Sequence, residues 1–329
     1  MICVEIGTVI FLSSSPSSHN INLLGRDDLR QDTVMQQIFL LVNVLLRKRR
    51  ETRERNLNIR TYKVIPLTKM SGLLEWVENT TSLATYLIGT RKNSYASAHH
   101  RYRPDDWSST VCTEKLLDAR KKGLFQTYTE VMKNFKPVFH HFFLENFSDP
   151  AMWFAKRLAY TRSVACNSMI GYIVGLGDRH CDNILIDKSS CEVVHIDLGI
   201  AFEQGKTLRI PELVPFRLTR DIVDGMGVTG VEGSFRKCCE ETMKVLRMNR
   251  EFVLTIVEVF IHDPLFCWTP LVALKAQREI QEDMEFDEDW CAEGRPFEAQ
   301  NKDAERTMLR IQAKLQVELF FILFQVGCI

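Results

Sequence analysis

The sequence predicts a mixed α+β fold of two lobes, a small β-rich one followed by a larger α-rich one, with a ligand cleft between them. Three observations predict it. Strand-like runs, residues 59–67 and 72–77, crowd into the first quarter of the chain. Beyond them apolar residues recur at helical intervals across 135–147, 150–174 and much of 210–261. Between those helical stretches stands one hairpin pattern, Asn183 to Asp197.

Taken in order, the elements follow from local chemistry. Residues 1–24 hold a short apolar run and then Ser13-Ser14-Ser15-Pro16-Ser17-Ser18, which reads as a flexible segment. After the polar stretch GRDDLRQD, Val34, Met35, Ile38, Leu41, Val42, Leu45 and Leu46 return every three or four residues, so a helix with one buried face is expected. Asp32 reads as its cap, and Arg47-Lys48-Arg49-Arg50 suits the negative end of its dipole. The small lobe ends near Glu75–Glu78. Acidic residues crowd between Glu279 and Glu293 as a solvated linker, and residues 303–316 form a last amphipathic helix.

The composition is that of a globular chain: 329 residues, 45% hydrophobic and 26% charged. Its 42 basic and 42 acidic residues cancel, which argues against a general polyanion-binding surface. Ten cysteines occur without a C-x-x-C pair, so reduced thiols are expected and a zinc site is not. The first eighteen residues lack a basic leader and carry Glu5, so secretion is not expected. The apolar run Leu319–Phe324 is far short of the roughly 20 residues that a membrane-crossing helix needs.

The chemistry is concentrated in GDRHCDNILIDKSSCEVVHIDLG, residues 177–199. Asp178 and Asn183 stand five apart, the spacing of catalytic aspartate and metal-binding asparagine in protein-kinase catalytic loops. Two apolar arms joined by residues 188–192 read as a hairpin. A turn centred on Ser190 would set Asn183 opposite Asp197. An amide oxygen and a carboxylate there can hold Mg²⁺ on nucleotide phosphates, while Asp178 accepts a proton from an attacking hydroxyl. Taken singly, Asp-Arg-His is ordinarily a surface turn and Asp-Leu-Gly a strand end; their order and spacing together point to phosphoryl transfer. His180, two residues from Asp178 on an extended loop, would orient the base or stabilise charge, and a structural role stays equally open.

The motifs GRDDLRQD, TYKVIPLT, GLLEW, RYRPDDWS, AYTRSVA, GLGDRHCDNIL, VHIDLGIAFEQGK and VPFRLTRDIVDGMGVTGVEG resemble those of the phosphatidylinositol-3-kinase-related protein kinases over residues 25–316. The resemblance implies a bilobal protein-kinase-like fold of the PI3/PI4-kinase type, with residues 25–78 as a partial small lobe and hinge. Residues 79–278 would form the large lobe, 279–302 the acidic linker, and 303–329 a closing helix and divergent tail. It implies Asp178 as catalytic base with His180 in support, and Asn183 and Asp197 as ligands of Mg²⁺, with Mn²⁺ as substitute. ATP would be bound at the hinge by Glu75, Trp76 and Val77, with Trp76 stacking on the adenine, and behind the phosphates by Asp27, Asp32 and Tyr62. Residues 198–216 would be the activation loop, with Gly199, Phe202, Gly205, Pro215 and Phe216 helping to seat substrate. Without the resemblance Trp76 reads equally well as a core aromatic, and Tyr62 as an ordinary strand residue.

By the same resemblance the substrates are proteins with Ser/Thr-Gln sites in DNA-damage checkpoint signalling, and the location is nuclear, with some cytoplasmic. The full-length protein would dimerise and meet damage-sensor complexes through regions outside this segment, which itself shows no nucleic-acid or membrane binding. Two departures stand out. Leu24 occupies the place of a lysine that the family uses on the ATP phosphates, and an alkyl chain offers no donor. The tail after Gln316 differs from the family's closing segment, so a fragment of a larger kinase is expected. Loss of a preorganised phosphate contact costs about 10²–10³ in rate, so low activity is expected too. The alternatives are a phosphoinositide kinase and a catalytically dead scaffold module.

Overall fold

The computed structural model describes residues 7–10, 20–25, 28–68, 71–90, 95–119, 124–208, 210–261 and 297–316. Strands β1 (Gly7–Ile10) and β2 (Asn20–Gly25) come first, then helices α1 (Arg30–Lys48) and α2 (Arg50–Glu54), then β3 (Val64–Thr68) and β4 (Ser71–Glu75). The four strands make one antiparallel sheet in the order β1-β2-β4-β3. Strand β2 crosses the boundary expected at residue 24, and Leu24 pairs with Gly72. Residues 59–63 are not strand; β3 begins only at Val64.

Helix α1 buries Met35, Ile38, Phe39, Val42, Leu45 and Leu46, and Val34 and Leu41 pack partly buried beside them, so the helical spacing in the sequence marks its core face. Arg47 and Lys48 lie in its last turn, where cations meet the negative end of the dipole. Asp32 is not its cap. The helix begins at Arg30, without a side-chain cap bond, and Asp32 is turned inward.

The large lobe opens with β5 (Thr80–Ser82), α3 (Leu83–Leu87), α4 (Ala98–Tyr102), α5 (Ser109–Ala119), α6 (Leu124–Asn134) and α7 (His140–Asn146). Helix α8 (Pro150–Val174) is the central element, and its limits follow from its sequence. The Asp149 carboxylate accepts from the Met152 N–H at 2.8 Å, and Pro150 occupies the first turn, where no N–H is needed. At the other end Gly175 is left-handed, φ 62°, and the Leu176 N–H returns to the Gly171 carbonyl at 2.8 Å. Tyr160, Ala165, Met169 and Ile173 along it are fully enclosed.

Strands β6 (Ile184–Asp187) and β7 (Val193–His195) follow, pairing with β5 in a sheet ordered β5-β6-β7. A single 3₁₀ turn, Gln204–Thr207, leads to α9 (Arg220–Asp224), α10 (Ser234–Met248) and α11 (Arg250–Ile261). Residues 210–219 are not helical. The acidic crowd 279–293 lies outside the described residues. Helix α12 (Phe297–Gln316) begins within the stretch expected as linker and packs on α8, α10 and α11. No described helix is long and apolar enough to cross a membrane. Six cysteines, Cys112, Cys166, Cys181, Cys191, Cys238 and Cys239, are free thiols.

Candidate active site

Helix α8 ends where the chemistry begins. Its glycine stop turns the chain into residues 176–183, and the hairpin β6–β7 carries it back. The turn of that hairpin is set by Asp187, whose Oδ1 accepts from the N–H groups of Ser189 and Ser190 and from the Ser189 hydroxyl. Cys191 follows in the left-handed region, φ 62°, and Glu192 pairs with Asp187. Only four residues therefore make the loop, and the register is Ile184 to His195 and Ile186 to Val193. Asn183 consequently faces Ile196, whose N–H donates to its carbonyl at 3.1 Å, and Asp197 stands one residue further along. The expected opposition of Asn183 and Asp197 is thus off by one position, because Glu192 belongs to the ladder and not to the turn.

The three acidic and amide groups are nonetheless brought together. Asn183, buried, donates from Nδ2 to the Asp178 carbonyl at 3.0 Å, which leaves Oδ1 as its acceptor for a cation. Arg179 links the two loops: Nε donates to the Gly177 carbonyl at 2.8 Å, Nη1 to the Ile196 carbonyl at 2.7 Å, and Nη2 to the Asp197 carbonyl. Arg179 as a whole is 5% exposed. Burial lowers its pKa from the usual arginine range, against the opposing pull of Asp197, Asp178, Tyr62 and Asp32 around it. Nothing in the sequence marked Arg179 as this hub: flanked by Asp178 and His180, it reads as one more polar residue of a surface loop.

Asp178 and Asp197 both adopt left-handed backbone, φ 56° and 54°, which non-glycine residues hold only when their surroundings compel it. The expectation of an extended loop with Asp178 and His180 on one side fails for this reason. His180 is exposed, with Nδ1 3.9 Å from Asp182 Oδ2, and Asp182 is exposed as well. Asp197 is exposed, and Leu198 behind it is anchored to α1. Its N–H donates to Asp32 Oδ1 at 2.9 Å, and its carbonyl accepts from Gln31 Nε2 at 3.1 Å. His195, half-buried with Nδ1 enclosed, has its pKa lowered to about 3 by burial and then by Arg179, so the ring is neutral.

Between the lobes lies an apolar floor. Leu29, Tyr62, Val64 and Val194 are buried there, with Leu74, Val77, Leu185 and Ile196 packed against them. Val77 thus belongs to the floor. Glu75 Oε2 accepts from the Lys63 N–H at 2.8 Å. Trp76 is 54% exposed, so it is not a core aromatic. Asp27 lies outside the described residues. Tyr62 is 5% exposed and its hydroxyl has no partner, nor has the nearby Nε2 of Gln36. Burial, and then the Asp32 charge, raises the Tyr62 pKa, so the phenol remains a donor. An exposed aromatic, an apolar floor and an orphaned buried donor fit a nucleotide base and its polar tail. Among the described residues no three His, Cys, Asp or Glu side chains gather as a metal cluster. Asn183 and Asp197 suit instead a hard cation that shares its coordination with phosphate oxygens.

The segment expected as activation loop, residues 198–216, is anchored at both ends. Gly199 lies beside Asp197: a Cβ on it would come 3.6 Å from Asp197 Oδ1. Phe202 and Phe216 are buried in the main core, and the Phe202 N–H donates to the Val174 carbonyl at 2.8 Å. Gly205 is buried and Pro215 half-buried. Ile210, Leu213 and Val214 are the exposed apolar residues of the segment. Glu203 pairs with both Lys206 and Lys314; Lys314, on α12, also donates to the Tyr172 carbonyl at 2.7 Å.

Residues 19–270 match the family model for phosphatidylinositol 3- and 4-kinase. The chain is 56% identical over 293 residues to the serine/threonine-protein kinase ATM of Arabidopsis thaliana, covering 88% of this chain and 7% of that protein. It is 52% identical over 305 residues to the serine-protein kinase ATM of Sus scrofa, covering 89% and 10% respectively. Among solved structures, the FAT and kinase domain of CtTel1 superposes with a TM-score of 0.80 at 42% identity, covering 98% of this chain and 21% of that one. The Tel1 kinase butterfly symmetric dimer gives 0.74 at 34% identity, over 96% of this chain and 13% of that one. The chain therefore spans about a tenth or less of the length of these curated relatives.

Proposed function

Because the chain belongs to the phosphatidylinositol 3- and 4-kinase family, we propose that it is the catalytic domain of a Ser/Thr protein kinase of DNA-damage signalling, directed at Ser/Thr-Gln sites. The observation that carries this reading is the juxtaposition of Asp178, Asn183 and Asp197: Asn183 bonds the Asp178 carbonyl, and the buried Arg179 between them bonds the Asp197 carbonyl. Asp178 accepts the proton of the substrate hydroxyl. Asn183 and Asp197 would hold Mg²⁺, which would neutralise charge on the phosphates of ATP. Trp76 offers a face to the adenine, Val77, Leu185 and Ile196 line its floor, and the Tyr62 hydroxyl and Asp32 stand behind the phosphates. His180, exposed beside Asp178, supports transfer.

A protein substrate is favoured over an inositol lipid by the activation segment. Between Leu198 and Phe216 its bases are Lys206 and Arg209, too few for a phosphorylated headgroup, while Ile210, Leu213 and Val214 present apolar surface. The names of the relatives support the same choice. Two-fold dimers among the Tel1 structures support a dimer for the whole protein. A nuclear location follows from the same kinship. Leu24 motivates a second reading, a domain that binds nucleotide poorly and serves as a scaffold.

Phosphate transfer from ATP to a Ser-Gln peptide, with Asp197→Ala as control, separates these. Transfer by the unaltered chain and its loss in the variant support the kinase. Equal background from both supports the scaffold, and transfer to phosphoinositide in place of peptide supports the lipid enzyme.

A further inference from the structure

Glu212 sits in the activation segment, 34 residues from Asp178, yet its Oε1 accepts the Asp178 N–H at 3.0 Å. Its own N–H donates to the Gly205 carbonyl at 3.1 Å, and the Gly177 N–H donates to the Ile200 carbonyl at 2.9 Å. The carboxylate rests on two glycines. A Cβ at Gly177 would come 2.8 Å from Glu212 Oε2 and 3.0 Å from the Gly205 Cα, and a Cβ at Gly205 would overlap the same Oε2. Any larger residue at either place would expel it. The peptide unit it grips is the one that enters the left-handed Asp178.

We propose that Glu212 is a positioning residue, whose carboxylate, seated over Gly177 and Gly205, fixes the strained backbone from which Asp178 meets the substrate hydroxyl. It rests on the reading of Asp178 as the proton acceptor. A charge-assisted hydrogen bond to a backbone N–H is among the stronger kinds, and it costs no reorganisation during reaction. It also joins the activation segment to the catalytic loop, so that disorder in the one reaches the base in the other.

The test compares the full chain with Glu212→Ala, Glu212→Gln and Asp178→Asn, by steady-state transfer to a Ser-Gln peptide and by amide hydrogen exchange of residues 176–183. Glu212→Ala should lower kcat roughly ten- to hundredfold with KM for ATP nearly unchanged, and speed exchange at Asp178 by a similar factor. Glu212→Gln, which keeps an acceptor oxygen, should recover most of both. Unchanged kcat and exchange in Glu212→Ala would overturn the proposal. So would a Gln variant as defective as the Ala variant, or faster exchange confined to residues 203–216. If the unaltered chain and Asp178→Asn transfer phosphate equally, the kinase reading fails, and exchange at Asp178 alone still decides the role of Glu212.

Discussion

Arg179→Lys removes most of the side-chain ties between the loop of residues 177–183 and the strand end that carries Asp197. The arginine spends three donors on three carbonyls, those of Gly177, Ile196 and Asp197, while 95% shielded from solvent. Lysine carries its charge at one point and cannot span carbonyls on two separate loops. Keeping one bond and losing two, at about 1.5 kcal/mol net for each hydrogen bond to a charged group, predicts about 3 kcal/mol of lost stability. The carbonyls of Ile196 and Asp197 would also lose their common anchor, so transfer should fall by more than about tenfold even where the chain stays folded. Urea unfolding followed by circular dichroism gives the stability, and peptide phosphorylation the rate. A stability change under about 0.5 kcal/mol with an unaltered rate would refute the assignment of Arg179 as the hub, since that is the range of an indifferent surface substitution.

Three further outcomes follow. Tyr62→Phe removes a buried hydroxyl without a partner, so the nucleotide-free chain should gain up to about 1 kcal/mol while its affinity for ATP falls; thermal melts with and without nucleotide check both. His195 is held neutral, its pKa lowered to about 3, whereas in the unfolded chain it protonates near 6.5. Between those values the unfolded state binds the extra proton, so stability should fall as pH drops below about 6.5, by up to about 1.4 kcal/mol per pH unit, and His195→Asn should lessen that slope in pH-dependent melts. Leu24→Lys should raise peptide phosphorylation by about 10²-fold, and an unchanged rate would show that this position does not reach the phosphates.

Long periodic elements were legible in the sequence. The limits of α8 follow from Asp149, Pro150 and Gly175, and the buried face of α1 from its three- and four-residue spacing. The Asp178–Asn183 spacing singled out two residues that the fold joins by a hydrogen bond. What escaped was set by tertiary contact. The hairpin register depended on whether Glu192 paired or turned, which the Asp187 side chain decided. Strand β5 is three residues long, too short to announce itself, and Asp32 wears the composition of a cap while serving as an acceptor for Leu198. Arg179 and Glu212 are invisible to spacing because each acts across a gap in sequence that only the fold closes.

The most direct measurement is Mn²⁺ binding, followed by electron paramagnetic resonance in the presence of ATP. The account predicts that Asp197→Ala and Asn183→Ala weaken the ion at least about tenfold, while Asp178→Asn binds it as the unaltered chain does yet transfers no phosphate. Equal affinity in all four proteins would contradict it.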